Sequence, residues 1–166
     1  MKTTLEEALE LLDRGWAVIP ILPETKRPAV KWGHYCDTLT LPTEDEVIEW
    51  FERWPEASIA VITGPLSGLV IVDCDNEDAL AEATRLGMTK TPIKVRTKKG
   101  WHFYFKFPPK SDWIKNRVGA DGNDVDWPRC DGLDLRGSKG YAVAPPSKNY
   151  QWVVSEGSDH DDLPMY

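Results

Sequence analysis

The chain is short of cysteine, of long apolar runs and, over most of its length, of positive charge. Its three cysteines, Cys36, Cys74 and Cys130, are odd in number, far apart and form no C-x-x-C pair. That excludes a zinc site or a disulfide framework and leaves small buried or half-buried thiols. No apolar run approaches the roughly 20 residues that span a bilayer. The N-terminus, MKTTLEEALELLDRG, is acidic and amphipathic and lacks the plan of a secretory signal, so a cytoplasmic protein is expected. There is no internal repeat and no low-complexity segment. What remains is 166 residues, 41% hydrophobic and 28% charged, which suits one globular domain able to bury its own core.

A net charge of −7 argues against general affinity for polyanions, but the charge is uneven. Residues 94–117 carry Lys94, Arg96, Lys98, Lys99, Lys106, Lys110, Lys115 and Arg117 against Asp112 alone, and both flanks are acidic. Such a band either binds phosphate or solubilises a surface hairpin.

Apolar spacing predicts a helix over Thr4–Arg14, stopped by Gly15. Thr43-Glu-Asp-Glu46 is a capping box for a second helix ending near Trp54-Pro55, and Asn76 caps a third that ends at Leu86-Gly87. Strands are expected over residues 16–21, 58–63 and 69–75. After Pro92 five more follow, at 93–97, 102–107, 132–136, 141–144 and 150–154, joined by segments containing Gly, Pro, Asn and Asp. The front half alternates helix and strand, and the back half is mostly strand. This predicts an α+β fold with a largely antiparallel sheet and flanking helices. The final SEGSDHDDLPMY is polar and reads as a loosely held tail, 156–166.

Three segments bear chemistry. In Gly68-Leu-Val-Ile-Val-Asp73-Cys-Asp75 an apolar strand runs into two acids two residues apart, which share a face. Paired carboxylates suit a hard divalent cation, unless Asp75 and Asn76 merely cap the next helix. In Lys98-Lys-Gly-Trp-His102-Phe-Tyr-Phe-Lys-Phe, alternation turns Phe103, Phe105 and Phe107 to one face and His102, Tyr104 and Lys106 to the other. Lys98 and His102 would flank an anion, with Gly100 allowing it close to the backbone. The alternative is an amphipathic edge strand with a surface histidine. In Gly132-Leu-Asp134-Leu-Arg136-Gly-Ser-Lys-Gly140, Asp134 and Arg136 share a face. They suit a metal beside a phosphate, or form an ordinary surface ion pair.

Taken together and in this order, the three segments resemble the prim-pol branch of the archaeo-eukaryotic primase superfamily. Its motifs h-D-h-D, small-x-His and h-D stand here as Val72-Asp73-Cys74-Asp75, Gly100-Trp101-His102 and Leu133-Asp134. Also similar are Gly15-Trp-Ala-Val-Ile-Pro20, Lys26-Arg-Pro-Ala-Val-Lys-Trp32, Thr63-Gly64 with Ser67-Gly68, and the run from Arg136 to Ser147. The resemblance covers about residues 11–154 and is to the type found in phage and plasmid replication proteins.

It implies an RRM-like sheet in a catalytic domain at 1–155, with 156–166 as a possible linker to a helical or helicase region. It implies two Mg²⁺ or Mn²⁺ ions on Asp73, Asp75 and Asp134, with His102, Lys98 and Arg136 on a nucleoside triphosphate. Lys94, Arg96, Lys99, Lys106, Lys115 and Arg117 would follow a single-stranded DNA template. Trp101, Tyr104, Trp113 and Trp127 are candidates for stacking on bases or sugars. The implied activity is template-directed primer synthesis or extension in a bacterial, archaeal or virus-infected cell, with a helicase as a further partner and no membrane. The same acids and histidine also fit a metal-dependent nuclease or phosphodiesterase, and a replication module with an inert site is the non-enzymatic alternative.

Overall fold

A computed structural model describes residues 1–109, 114–120 and 124–166. Helix α1 (Thr4–Asp13) opens on a full capping box between Thr3 and Glu6, and α3 (Glu44–Arg53) on one between Thr43 and Glu46. Each box satisfies two otherwise orphaned amides and contributes about 1 kcal/mol. Helix α4 (Glu77–Arg85) is capped by Asn76, whose Oδ1 accepts from the Ala79 amide at 2.8 Å. A short helix, α2 (Gly33–Thr38), stands where the sequence analysis places no element. It has no side-chain cap and only six residues, so neither boundary signal nor periodicity marks it.

Among the described residues all strand pairs are antiparallel, and they form two sheets. The smaller has the order β1 (Val18–Ile21), β2 (Ser58–Ile62), β8 (Tyr141–Ala144). The larger has the order β6 (Arg117–Val118), β7 (Leu133–Arg136), β3 (Leu69–Cys74), β5 (Trp101–Lys106), β4 (Ile93–Arg96), β9 (Gln151–Val154). The architecture is the expected α+β one with antiparallel sheets and few helices, divided between two sheets rather than one.

Three cores explain the division. Alternate residues of β1, β2 and β8 (Val18, Ile59, Val61, Ala142, Ala144) meet Leu69, Ile71, Val95 and Tyr104 of the larger sheet, with α1 and α3 against the same cluster. The far face of the larger sheet buries Val70, Val72, Phe103 and Phe105 under Ala79 and Ala83 of α4. The outer face of the smaller sheet packs Ile19, Ala60 and Ile62 against Trp32, Cys36 and Leu41. Both faces of β3 and most of β5 are therefore covered, and all six residues of β3 are buried. Tyr104, expected on an open face, is fully buried, with Trp16 and Trp152 at ring distances of 5.7 and 5.3 Å.

The last residues are not loose. Leu163 is buried in the inter-sheet core, the Lys106 amide donates to Pro164 O at 2.8 Å, and the Tyr166 amide donates to Lys106 O at 3.1 Å. Burying one leucine contributes about 1.5–3 kcal/mol, enough to hold a polar segment whose backbone is also paired. Among the described residues no helix is long and apolar enough to cross a membrane.

Candidate active site

Strand register brings the predicted acids together. Asp73 lies opposite Asp134 on β7 and opposite His102 on β5. Residues directly across an antiparallel pair project to the same side, so three polar groups stand in a row across three adjacent strands. Asp75 follows just past the strand end, where its amide donates to Gly132 O at 2.8 Å. One carboxylate oxygen from each of Asp73, Asp75 and Asp134 lies within 4.8 Å of the others. Asn76 fixes this corner: besides capping α4 it donates from Nδ2 to Asp131 O at 2.9 Å. The cap belongs to Asn76, and Asp75 is left for the cluster.

Each acid is held differently. Asp73 is 7% exposed. Burial pushes its carboxyl up, but the adjoining His102 and the Arg136 guanidinium outweigh that and hold it below the usual range. Arg136 Nη2 lies 3.3 Å from Asp73 Oδ2 and 3.6 Å from Asp134 Oδ2. His102 Nε2 lies 3.4 Å from Asp73 Oδ1, close but poorly aligned, so Asp73 Oδ1 is buried without a hydrogen-bond partner; the other ring nitrogen, His102 Nδ1, is likewise buried and unpartnered. Asp134 Oδ1 accepts from the Gly119 amide at 3.0 Å. Burial and then the charge of Asp73 push Asp75 up, against Lys26 and Lys99. A dense, oxygen-only donor set with a buried unpartnered oxygen fits a divalent cation of the Mg²⁺ or Mn²⁺ kind. Arg136 lies against two of the three acids and offsets part of their repulsion.

Asp73 and His102 of the row, with Arg136, form one wall of a cleft of about 270 Å³ between the sheets. Ala142 and Val143 of β8 face it, and Lys26, Lys139 and Tyr150 stand around it. A second hollow of about 150 Å³ opens beside the β4–β5 turn, lined by Asp75, Lys98, Lys99 and Asn149. Lys26, Asp73, His102 and Tyr150 border both.

Several expectations are corrected. Lys98 and Gly100 do not extend the strand of His102; residues 97–100 turn, with the Thr97 amide donating to Gly100 O at 2.9 Å. What comes close to Gly100 is protein: a Cβ there would lie 1.9 Å from the Cys74 carbonyl oxygen. The basic band is not continuous. Strand alternation puts Lys94 and Arg96 on the face opposite His102, where both cations lie over the Trp101 ring at 5.4 and 5.3 Å. Lys106 is at the other end of β5, and Arg117 is paired with Asp124 at 2.5 Å. Lys115 is exposed, and Lys110, Asp112 and Trp113 lie outside the described residues. Trp127 is core, its Nε1 donating to Leu133 O at 2.8 Å.

Lys26, Lys139, Asn116 and Tyr150 were not singled out as site residues, because distant segments bring them to the cleft. The sequence signal for Lys26 was its place in the Lys26–Trp32 segment. The structure adds that Tyr141 Oη donates to its carbonyl at 2.7 Å, tying that loop to β8.

Comparison with curated protein sequences finds no match. A family model, bifunctional DNA primase/polymerase, N-terminal, matches residues 8–165, a span that includes every acid of the cluster, His102 and the docked tail. The chain belongs to this Prim-Pol family, whose members are metal-dependent nucleotidyltransferases of the DNA primase/polymerase type acting on DNA and nucleotides.

Proposed function

We propose that the chain is a template-directed nucleotidyltransferase that makes or extends primers on single-stranded DNA in the cytoplasm, with two divalent cations held by Asp73, Asp75 and Asp134. The observation that carries this reading is the set of three carboxylates within 4.8 Å, of which Asp73 opens on the cleft beside Arg136 and Lys26, and Asp75 on the second hollow beside Lys98 and Lys99. Bound there, Mg²⁺ or Mn²⁺ supplies a lowered pKa for a 3′-hydroxyl and charge neutralisation for departing pyrophosphate.

The chain's own residues orient and bind. Asp134 is fixed by the Gly119 amide, and Asp73 by its place in the fully buried β3. His102, with Nδ1 unpartnered, donates to a triphosphate oxygen. Arg136, 34% exposed, moves from the carboxylates to the phosphate chain, where it stabilises developing charge. Lys98 and Lys99, beside Asp75, take phosphates on the second side of the acids.

The test is product formation on single-stranded DNA with labelled nucleoside triphosphates, with and without a primer, in Mg²⁺ and in Mn²⁺. Asp73→Ala, Asp75→Ala and Asp134→Ala should each abolish incorporation while circular dichroism stays native. Full activity in any of them removes that residue from the site. A nuclease would instead shorten the DNA without nucleotide.

His102→Ala separates the two chemistries further. A triphosphate contact predicts nucleotide binding weaker by about one to two decades, with metal affinity little changed. A histidine acting as general base in hydrolysis predicts lost turnover that does not depend on nucleotide.

A further inference from the structure

Lys139 borders two hollows. One is the cleft that holds Asp73 and His102. The other, of about 330 Å³, contains none of the clustered acids. Helix α2 and the residue after it give it Cys36 and Leu39, the turn between β2 and β3 gives Pro65 and Leu66, and the 137–140 turn gives Ser138 and Lys139. Its lining is thus mainly apolar, with a cation at one edge. The volume falls within the range of small-molecule sites, about 300–1,000 Å³.

Hydrogen bonds hold the walls before any ligand arrives. Thr63 Oγ1 donates to Gly137 O at 2.6 Å, and the Thr63 amide donates to Gly140 O at 2.8 Å. Asn116 Nδ2 donates to Ser138 O at 3.1 Å. The two turns approach so closely that a Cβ on Gly64 would lie 2.8 Å from Ser138 Cα. Two features of the lining are unfavourable as they stand. The Ser138 hydroxyl is buried with no hydrogen-bond partner, a state that a ligand oxygen would relieve. Leu39 is 63% exposed and has a left-handed backbone, φ 49°, which suits leucine poorly. Strain of this kind collects at ligand clamps.

Lys139 supplies the charge. Its Nζ lies 2.7 Å from Asp37 Oδ1, and both side chains are at least half exposed. So exposed a pair is weak and exchanges partners readily. Asp37 shows that an oxyanion fits at this edge of the hollow. A ligand's anionic group can take its place while the apolar body lies against Leu39, Pro65 and Leu66. The same ammonium borders the cleft, so an anion held in the hollow competes for it with a phosphate chain held there.

We propose that this hollow is a binding site for a small aromatic monoanion, and that the ligand opposes nucleotide binding by retaining Lys139. The site itself stands apart from the reading above. The opposition rests on that reading, which brings a triphosphate to His102 and Arg136, and these line the cleft with Lys139.

The experiment titrates the whole chain with two fluorescent dyes, anilinonaphthalene sulfonate and its uncharged parent phenylnaphthylamine. Each should bind once per chain, and the sulfonate about tenfold more tightly. Lys139→Met should bring the sulfonate to the level of the neutral dye. Asp37→Asn, which removes the competing carboxylate, should tighten the sulfonate two- to fivefold and leave the neutral dye unchanged. Leu66→Trp, which fills the hollow, should weaken both dyes at least tenfold and leave ATP, titrated by calorimetry in Mg²⁺, within twofold. Leu39→Asn provides a variant without risk to the fold, since asparagine accepts the left-handed backbone; it should weaken both dyes about fivefold. Saturating ATP in Mg²⁺ should weaken the sulfonate about fivefold, the sulfonate should weaken ATP by the same factor, and neither effect should survive in Lys139→Met.

The proposal is overturned if both dyes bind Leu66→Trp and Leu39→Asn as they bind wild type, if the two dyes bind alike in wild type, or if ATP and the sulfonate bind independently. A chain that gives the dye results but binds no ATP keeps the site in the hollow, and the nucleotide reading fails instead.

Discussion

Arg136 places one nitrogen between Asp73 and Asp134, at 3.3 and 3.6 Å, and so offsets part of the repulsion among three clustered acids. Arg136→Gln removes that charge while leaving the carboxylates. Without metal the variant should unfold several degrees lower, the loss of a half-buried charged contact being about 1–2 kcal/mol. Added Mn²⁺ should then raise its melting temperature more than that of wild type, since the cation no longer competes with the guanidinium. Equal shifts in the two proteins would show that Arg136 does not occupy the cation's place. Gly100 makes a second prediction at this scale. A Cβ 1.9 Å from the Cys74 carbonyl must push apart two strands that carry Asp73 and His102. Gly100→Ser should therefore cost about 1–3 kcal/mol in a denaturant melt. It should reduce incorporation by as much as a hundredfold, because a displacement near 1 Å at reacting groups has that effect.

Among the elements, the tail carries a histidine whose proton uptake should change on folding. His160 packs edge-on against Trp152 at 4.6 Å and against Trp16 at 5.7 Å, and its Nε2 is buried without a partner. Burial and then the charge of Arg14 hold its pKa below the ordinary value, against Glu7, Asp159 and Asp161. The unfolded chain therefore takes up this proton at higher pH than the folded one. The stability from docking neutral His160 is complete above about pH 6.5 and declines as pH falls below that, down to the folded pKa. Thermal melts of wild type and His160→Phe should converge as the pH is lowered from 7.5 to 5, if the variant starts the less stable, or draw further apart if it starts the more stable. Parallel curves would mean that His160 does not titrate differently on folding.

This tail also shows which elements sequence reading reaches. Helices α1 and α3 are legible because Thr3/Glu6 and Thr43/Glu46 are local signals. The strands before Pro92 are legible from short apolar runs. Helix α2 has no such cap, and the two-residue β6 exists only by pairing with β7. The docking of Leu163 depends on a gap in a core assembled by the rest of the chain.

At the scale of the molecule, the acids were legible and the cations were not, for one physical reason. Strand alternation has a period of two residues and sets Asp134 and Arg136 on one face from local sequence; pairing of β7 with β3 then puts Asp73 beside them. Which cation stands near them depends on how the chain reverses between strands. The turn at 97–100 brings Lys98 and Lys99 to the acids, sends Lys94 and Arg96 behind the sheet and leaves Lys106 at the far end. Binding of single-stranded DNA should then have the salt slope of about two phosphate contacts, Lys98 and Lys99 beside Asp75, roughly −1.4 in log–log form. Lys106→Glu should leave affinity unchanged, whereas a slope much steeper, or a loss in that variant, would restore the continuous band.

The inter-sheet core has a consequence for heat. Val61 and Ala142 of one sheet and Ile71 and Tyr104 of the other belong to a single packed cluster directly behind the cleft. A dense core has little compliance, so the two walls of the cleft keep their spacing whether or not a ligand lies between them. Little apolar surface then changes its exposure when nucleotide enters, and the heat capacity change of binding should be close to zero. Calorimetric titrations between 10 and 35 °C should return nearly one enthalpy: the site behaves as a gauge already set to width rather than as a jaw that closes.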